Sequence, residues 1–272
     1  MRKLQDLPPA PKVLLALKRV IAEADTPLDK IAEIVSLEPG LSARVVKMAN
    51  SVHFGRGPAV ENIVEAIQRV GEKGVHELVT FAVASQLIGR PLAAYGLTAQ
   101  QLWSRAVACA IAAASLAERG DCDRSEAYTA GLMHGIGLLV LDRHSAAQRK
   151  PRVFSSAGYP QDFAADEREW LGFSHAEAGA ALLELWGFSA GVTAAVRHQL
   201  APEEAGGHRQ LAMILATARW ARSLFCVPDE MIPELPAAGW LEEAGMPIGD
   251  FGPWLAQVRI RTTIACEELR LG

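Results

Sequence analysis

Apolar residues recur three and four positions apart along most of the chain, and no stretch sustains the alternation of a half-buried strand. Val13, Leu14, Leu17, Val20 and Ile21 mark one face of a first helix. Thr26 followed by Pro27 reads as an N-cap with proline at the first helical position, and Leu28, Ile31, Ile34 and Val35 carry the helix it opens. Pro39 opens another, with Leu41, Val45, Met48 and Ala49 inward. The loop 50–58 leads to two helices divided near Gly71, with Ile63, Ala66, Ile67 and Val70 on the first and Leu78, Val79, Ala82 and Val83 on the second.

After a connector at 89–97, a capping box of Thr98 and Gln101 starts a long helix through Glu118. One further helix is expected from about Arg124 to Arg143, and 144–160 reads as a polar loop. Ser174 and Glu177 form a second capping box, and the helix they start ends at Gly187. Ser189 caps a short helix reaching His198, a strong helix covers 208–225, and a Pro/Gly-rich connector at 228–249 precedes a last helix to about Leu269. The fold class is all-α, about a dozen helices in a compact bundle, with no fixed-period repeat.

The 272 residues suffice for one large domain or two fused helical lobes. A formal net charge of −4 argues against a nucleic-acid partner, which calls for a basic stripe. The densest basic run, Arg143 to Arg152, reads as a solvated loop after a helix. Cys109, Cys122, Cys226 and Cys266 are scattered without a CxxC pair, so neither a disulfide framework nor a zinc ribbon is expected. The N-terminus has no signal-peptide core, and the longest apolar run, 106–117, is too short to span a bilayer. A reduced cytoplasm is the expected location, with no membrane partner.

Candidate chemistry rests on histidines. His134 sits in the run 131–137, Gly-Leu-Met-His-Gly-Ile-Gly; His175 follows an N-cap; His198 ends a helix. Three neutral imidazoles that converge can hold zinc, whereas the plain alternative is three hydrogen-bonded core residues. Walker A and HExxH motifs are absent, and the GxSxG string at 187–191 (GFSAG) is no nucleophile elbow, since no strand precedes it and Ser189 reads as a helix cap. Gly135 and Gly137 lie in a helical pattern, where glycine costs about 1 kcal/mol relative to alanine, so close helix packing is the expected reason for them. Asp142 stands about two turns, roughly 10 Å, beyond Gly135 and cannot act from that position.

Six segments in order resemble the HDOD (HD-related output domain) family, a branch of the HD phosphohydrolase superfamily. They are 7–11 (LPPAP), 39–51 continuing to Phe54-Gly55, 65–71 (EAIQRVG), 102–104 (LWS), 130–137 (AGLMHGIG) and 175–186 (HAEAGAALLELW). Catalytic members of the superfamily hold metal with a histidine, a His-Asp pair and a distant aspartate, and the resemblance places those ligands on this chain. The early histidine falls at Arg105, the pair at His134-Gly135 and the late aspartate at Arg219, while His175 and His198 match additional histidines of some branches. A guanidinium stays protonated and has no lone pair for a metal.

The resemblance therefore implies a non-catalytic bacterial signalling or scaffold domain over 4–200, with 201–272 a helical extension packed on the same body. No cofactor is expected. The alternative is a metal-dependent phosphohydrolase acting on nucleotides or cyclic dinucleotides, with zinc, manganese or iron held by what remains of the site. Arg105 and Arg219 either make a small-ligand cleft receptive to an anion or point to solvent. A signalling protein is the expected partner, and homodimerisation is left open. Asn50, Ser51 and Phe54 form the candidate contact loop, the plain alternative being that Asn50 and Ser51 cap helix ends.

Overall fold

The computed structural model describes Ala16 and residues 27–37, 39–51, 57–154, 163–224 and 238–268. Twelve α-helices appear among these residues: α1 (Leu28–Ser36), α2 (Pro39–Ala49), α3 (Ile63–Leu87), α4 (Ala99–Ala117), α5 (Arg124–Met133), α6 (Ile136–Ala146), α7 (Ala164–Leu171), α8 (His175–Leu185), α9 (Ala190–Arg197), α10 (Arg209–Ser223), α11 (Ala238–Glu243) and α12 (Ile248–Glu268). They contain no β-strand; a single bridge joins Leu92 and Leu97. The fold is all-α. No described helix is long and apolar enough to cross a membrane. The helix expected at 13–21, the opening LPPAP segment, Thr26 and Phe54 lie outside the described residues.

The described residues fall into two compact units, one holding 27–87 with 263–268 and the other 88–262. In the first, α1, α2 and α3 pack on one another. Ile31, Val35, Leu41, Val45, Met48, Ala66 and Ile67 are buried among them, on the faces that the spacing marks. Pro27 stands at the N-cap of α1, so the helix begins one residue later than the sequence suggests. Gly71, with φ +66°, breaks the helical path inside α3 where two helices were expected.

Asn50 closes the loop after α2 on itself. Its side-chain amide donates to the Val60 carbonyl (2.8 Å) and its amide oxygen accepts from the Val60 N–H (2.7 Å). Arg69 braces the same loop, donating to Asn50 Oδ1 (3.2 Å) and to the Pro58 carbonyl. Ser51 donates to the Met48 carbonyl (2.7 Å), a carbonyl in the last turn of α2. These bonds give Asn50 and Ser51 capping and loop-closing work.

In the larger unit, α4 packs against α5 and α10. Thirteen α4 residues are buried, Trp103 and Cys109 completely. Both capping boxes form: Gln101 N–H donates to Thr98 Oγ1 (3.1 Å), and Ser174 N–H donates to Glu177 Oε2 (2.8 Å). Ser189 Oγ accepts from Val192 N–H (3.2 Å) at the start of α9. Of the C-terminal helices, α11 buries Leu241 and α12 buries Trp254 and Val258 while leaving Ile248 and Ile260 exposed; the Trp254 indole N–H donates to Ser115 Oγ on α4 (3.1 Å).

Two expectations are corrected. The helix predicted to run unbroken from Arg124 to Arg143 is two helices, α5 and α6, separated at His134-Gly135. Leu138 N–H donates to the Gly135 carbonyl (3.0 Å) three residues back. The His134 carbonyl, which a continuous helix would pair with that N–H, accepts instead from Gln199 Nε2 (3.0 Å). A long-range side chain has taken the hydrogen bond that helix continuity requires. The other correction is α11, a short helix inside the stretch 228–249 expected as a connector; α7 lies in a stretch that the spacing leaves unassigned.

Gly137 has the packing role expected of it. A Cβ there would collide with the His175 carbonyl oxygen and stand 2.7 Å from Gly179 N, so α6 and α8 cross backbone to backbone. Gly135 differs: a Cβ would meet only Leu138 and Leu102 methyl carbons at 3.7 and 3.9 Å.

Candidate functional site

His134 caps the C-terminus of α5 and is 6% exposed. Its Nδ1 lies 2.7 Å from the Gly131 carbonyl oxygen. A carbonyl only accepts, so Nδ1 carries the proton of the neutral ring and Nε2 keeps the lone pair. Burial, reinforced by the charges of Arg222 and Arg219, holds the imidazole well below its ordinary pKa; His175 is also close enough to repel its protonation.

His175 opens α8 and is buried against a carboxylate. Its backbone N–H (2.7 Å) and its Nδ1 (2.8 Å) both bond Glu167 Oε2 on α7. Glu167 is fully buried, and its other oxygen accepts from the Tyr95 hydroxyl (2.8 Å). Burial pushes the Tyr95 phenol far up, and the Glu167 charge pushes it further, so Tyr95 remains a donor. Phe154 stacks on the Tyr95 ring at 4.8 Å and Phe163 meets it edge-on at 4.9 Å. Asp142, set aside as a substitute ligand at position 135, accepts from Ala94 N–H (2.9 Å) and pins the turn 92–97 that carries Tyr95.

His198 stands apart from this pair in its bonding. It caps the C-terminus of α9, is half-buried, and faces Glu204 at 4.0 Å. Gln199, next in the chain, is buried and bridges inward. Its Nε2 donates to both the His134 carbonyl (3.0 Å) and the Val196 carbonyl (2.9 Å). Arg219, half-buried on α10, donates from Nη1 to the Gln199 carbonyl (2.8 Å). Arg222, one turn on and 9% exposed, approaches the Arg219 carbonyl through Nε at 3.4 Å. Cys109 lies in the field of both arginines, yet burial outweighs their charge and raises its thiol to about 11. Arg105 is half-buried on α4, two positions after the fully buried Trp103.

Tested against a metal centre, this donor set does not fit. Among the described residues no group of three or more His, Cys, Asp or Glu side chains is arranged to hold a metal ion. Two buried acids already serve protein donors: Glu167 binds His175 and Tyr95, and Asp142 binds Ala94. Arg219, where the resemblance places an aspartate, brings a permanent positive charge instead.

Sequence reasoning singled out His134, His175, His198, Arg105 and Arg219. The structure bonds Glu167 to Tyr95 and His175, and Gln199 to His134 and Arg219, and sequence reasoning gave no place to Tyr95, Glu167 or Gln199. No local signal marks them, since each bonds to a group far along the chain. The basic run around Lys150 borders an open hollow of about 490 Å³ lined by Gln148, Arg149, Lys150 and Trp170. There Arg152 pairs with Asp166, and its guanidinium carbon lies 5.9 Å from the centre of the Trp170 ring.

The HDOD domain model matches residues 7–202. A protein of Treponema pallidum (strain Nichols), of uncharacterised function, is 30% identical over 210 residues, which is 74% of this chain; the match spans only 40% of that relative's length. Among solved structures, a provisionally named phosphohydrolase of Shewanella amazonensis SB2B aligns with a TM-score of 0.74 at 25% identity, covering 98% of this chain and 97% of its own. A provisionally named signal transduction protein of Marinobacter aquaeolei VT8 aligns with a TM-score of 0.74 at 23% identity, covering 97% of this chain and 60% of its own.

Proposed function

The chain belongs to the HDOD domain family, and from that premise we propose that it is a non-catalytic signal-transduction module, acting through protein contacts or a bound small ligand. One observation carries the reading. Arg219, to which the resemblance assigns the late carboxylate, donates to the carbonyl of Gln199, whose side chain in turn bonds the His134 carbonyl. A phosphodiester hydrolase of this superfamily needs carboxylates to hold divalent ions and activate water. Arg105 and Gly135 occupy the other positions at which the resemblance expects ligands, and neither supplies a donor. No resident cofactor is proposed. The partner is a signalling protein, the compartment the bacterial cytoplasm, and 201–272 a helical extension of the HDOD region.

A metal-dependent phosphohydrolase is the second reading, favoured by the tautomers of the two buried histidines. His134 and His175 each have Nδ1 engaged, by a carbonyl and a carboxylate, which spares Nε2 in the manner of metal-ligating histidines. The name of the Shewanella relative accords with it.

Purified full-length protein incubated with bis-p-nitrophenyl phosphate, nucleotides and cyclic dinucleotides, with manganese, iron or zinc added, separates the two. The signalling reading expects no turnover above that of His134→Ala. Turnover that His134→Ala abolishes overturns it. On the positive side, cross-linking in the parent cell is expected to yield a defined signalling partner whose binding His134→Ala retains.

A further inference from the structure

Two helices end at this site with their carbonyls turned toward it. Helix α5 ends at Met133 with His134 as C-cap, and α9 ends at Arg197 with His198 as C-cap and Gln199 just beyond. A helix C-terminus carries about half a negative charge on carbonyls that lack intrahelical donors, and a cation there is stabilising. Both ends are served by a single chain of bonds. Arg219 Nη1 donates to the Gln199 carbonyl (2.8 Å), and Gln199 Nε2 donates to the carbonyls of Val196 (2.9 Å) and His134 (3.0 Å). Both acceptors of the Gln199 amide are carbonyls, which fixes its orientation. Arg219 and Arg222 are close enough to His134 and to Cys109 of α4 for their charges to act on both.

We propose that the Arg219 guanidinium is the resident cation of this site, tethering α9 and, through Gln199, the end of α5 to α10 in place of a metal ion, so that the fold is metal-independent. A divalent ion at the meeting point of separate helices neutralises acceptors and ties the elements together. A guanidinium does the same with directed donors and a charge fixed by covalent attachment. Its electrostatic consequence is the reverse for any incoming metal, because a second cation would be repelled at short range. Lysine would keep the charge but lose the planar fork, and methionine would keep most of the stem and lose both. The inference rests on the non-catalytic reading of the site, and its test has a separate readout.

The test is thermal unfolding of the full chain by circular dichroism, for the wild type, Arg219→Lys and Arg219→Met, each with EDTA and with added zinc or manganese. The wild-type midpoint is expected to move by less than about 1 °C with chelator or metal, since an ion that does not bind the native state cannot stabilise it. Arg219→Met is expected to melt lower by roughly 5–10 °C, with Arg219→Lys between it and the wild type. A wild-type midpoint that falls with EDTA or rises several degrees with metal overturns the inference, as does Arg219→Met melting with the wild type. If Arg219→Met does not accumulate, the wild type with chelator and the lysine variant decide. Turnover in the hydrolase assay with a metal-insensitive melt removes the signalling reading and leaves the role of Arg219 standing. A metal-dependent melt without turnover does the opposite.

Discussion

Gln199 Nε2 donates a 3.0 Å hydrogen bond to the main-chain carbonyl of His134, 65 residues earlier, and that bond sits at the break between α5 and α6. Replacing Gln199 by Leu leaves the His134 carbonyl buried without this donor and is expected to cost about 2 kcal/mol. Gln199→Glu, which sets an acceptor against two carbonyls, is expected to cost more. Urea unfolding of both variants beside the wild type measures the difference, and equal stabilities would contradict it.

The Glu167 carboxylate collects three donors in the interior: the Tyr95 hydroxyl, the His175 N–H and the His175 Nδ1. Glu167→Leu strands all three, and a loss of roughly 3–5 kcal/mol is expected, enough to prevent folding in a marginal domain. Tyr95→Phe removes a single donor and should cost about 1–2 kcal/mol. The milder pair Tyr95→Phe and His175→Phe is expected to be non-additive in a double-mutant cycle, because both side chains report on one carboxylate.

Glycine-to-alanine substitutions two residues apart should behave oppositely. Gly137→Ala drives a methyl into the α8 backbone at His175 and is expected to destabilise by about 3 kcal/mol or to abolish folding. Gly135→Ala places its methyl in ordinary contact with leucine methyls and should be tolerated within about 1 kcal/mol. Melting temperatures of the two purified variants settle it.

Stability should fall on acidification through His134. Its folded pKa lies well below the ordinary value, so the unfolded chain takes up the proton first. The stabilisation from keeping this ring neutral is complete above about pH 6.5 and is lost as the pH drops from there toward the depressed folded value. Relative to His134→Asn, the wild type should lose up to about 1.4 kcal/mol per pH unit in that window. Chemical unfolding at pH 7.0 and 5.5 reads the difference, and parallel losses in both proteins would refute the assignment.

Local chemistry was legible in the sequence and distant chemistry was not. Thr98 with Gln101, Ser174 with Glu177, and Ser189 before Val192 act over three residues, and each forms as its spacing indicates. The inward faces of α1 and α2 follow from helical spacing alone. The break at His134-Gly135 was hidden because the donor that satisfies its freed carbonyl, Gln199, lies 65 residues away. Helix α7 was hidden because its sequence, AADEREWL, is half acidic or basic and its key side chain, Glu167, is a carboxylate placed where an apolar residue would be expected. His134 and His175 stood out as buried histidines, but their partners Gly131 and Glu167 could be identified only from the fold.

The bonds that close the site join residues far apart in the chain: Ala94 to Asp142, Tyr95 to Glu167, His134 to Gln199, and Gln199 to Arg219. Contacts of such high sequence separation incur their loop-closure entropy early and form slowly. During synthesis, the turn carrying Tyr95 must therefore wait for α7, and the end of α5 must wait for α9. The family match stops at 202, seventeen residues before Arg219. A nascent or truncated chain ending at that boundary would keep Gln199 and its donors to the His134 and Val196 carbonyls, but would lack the arginine that holds the Gln199 carbonyl in place.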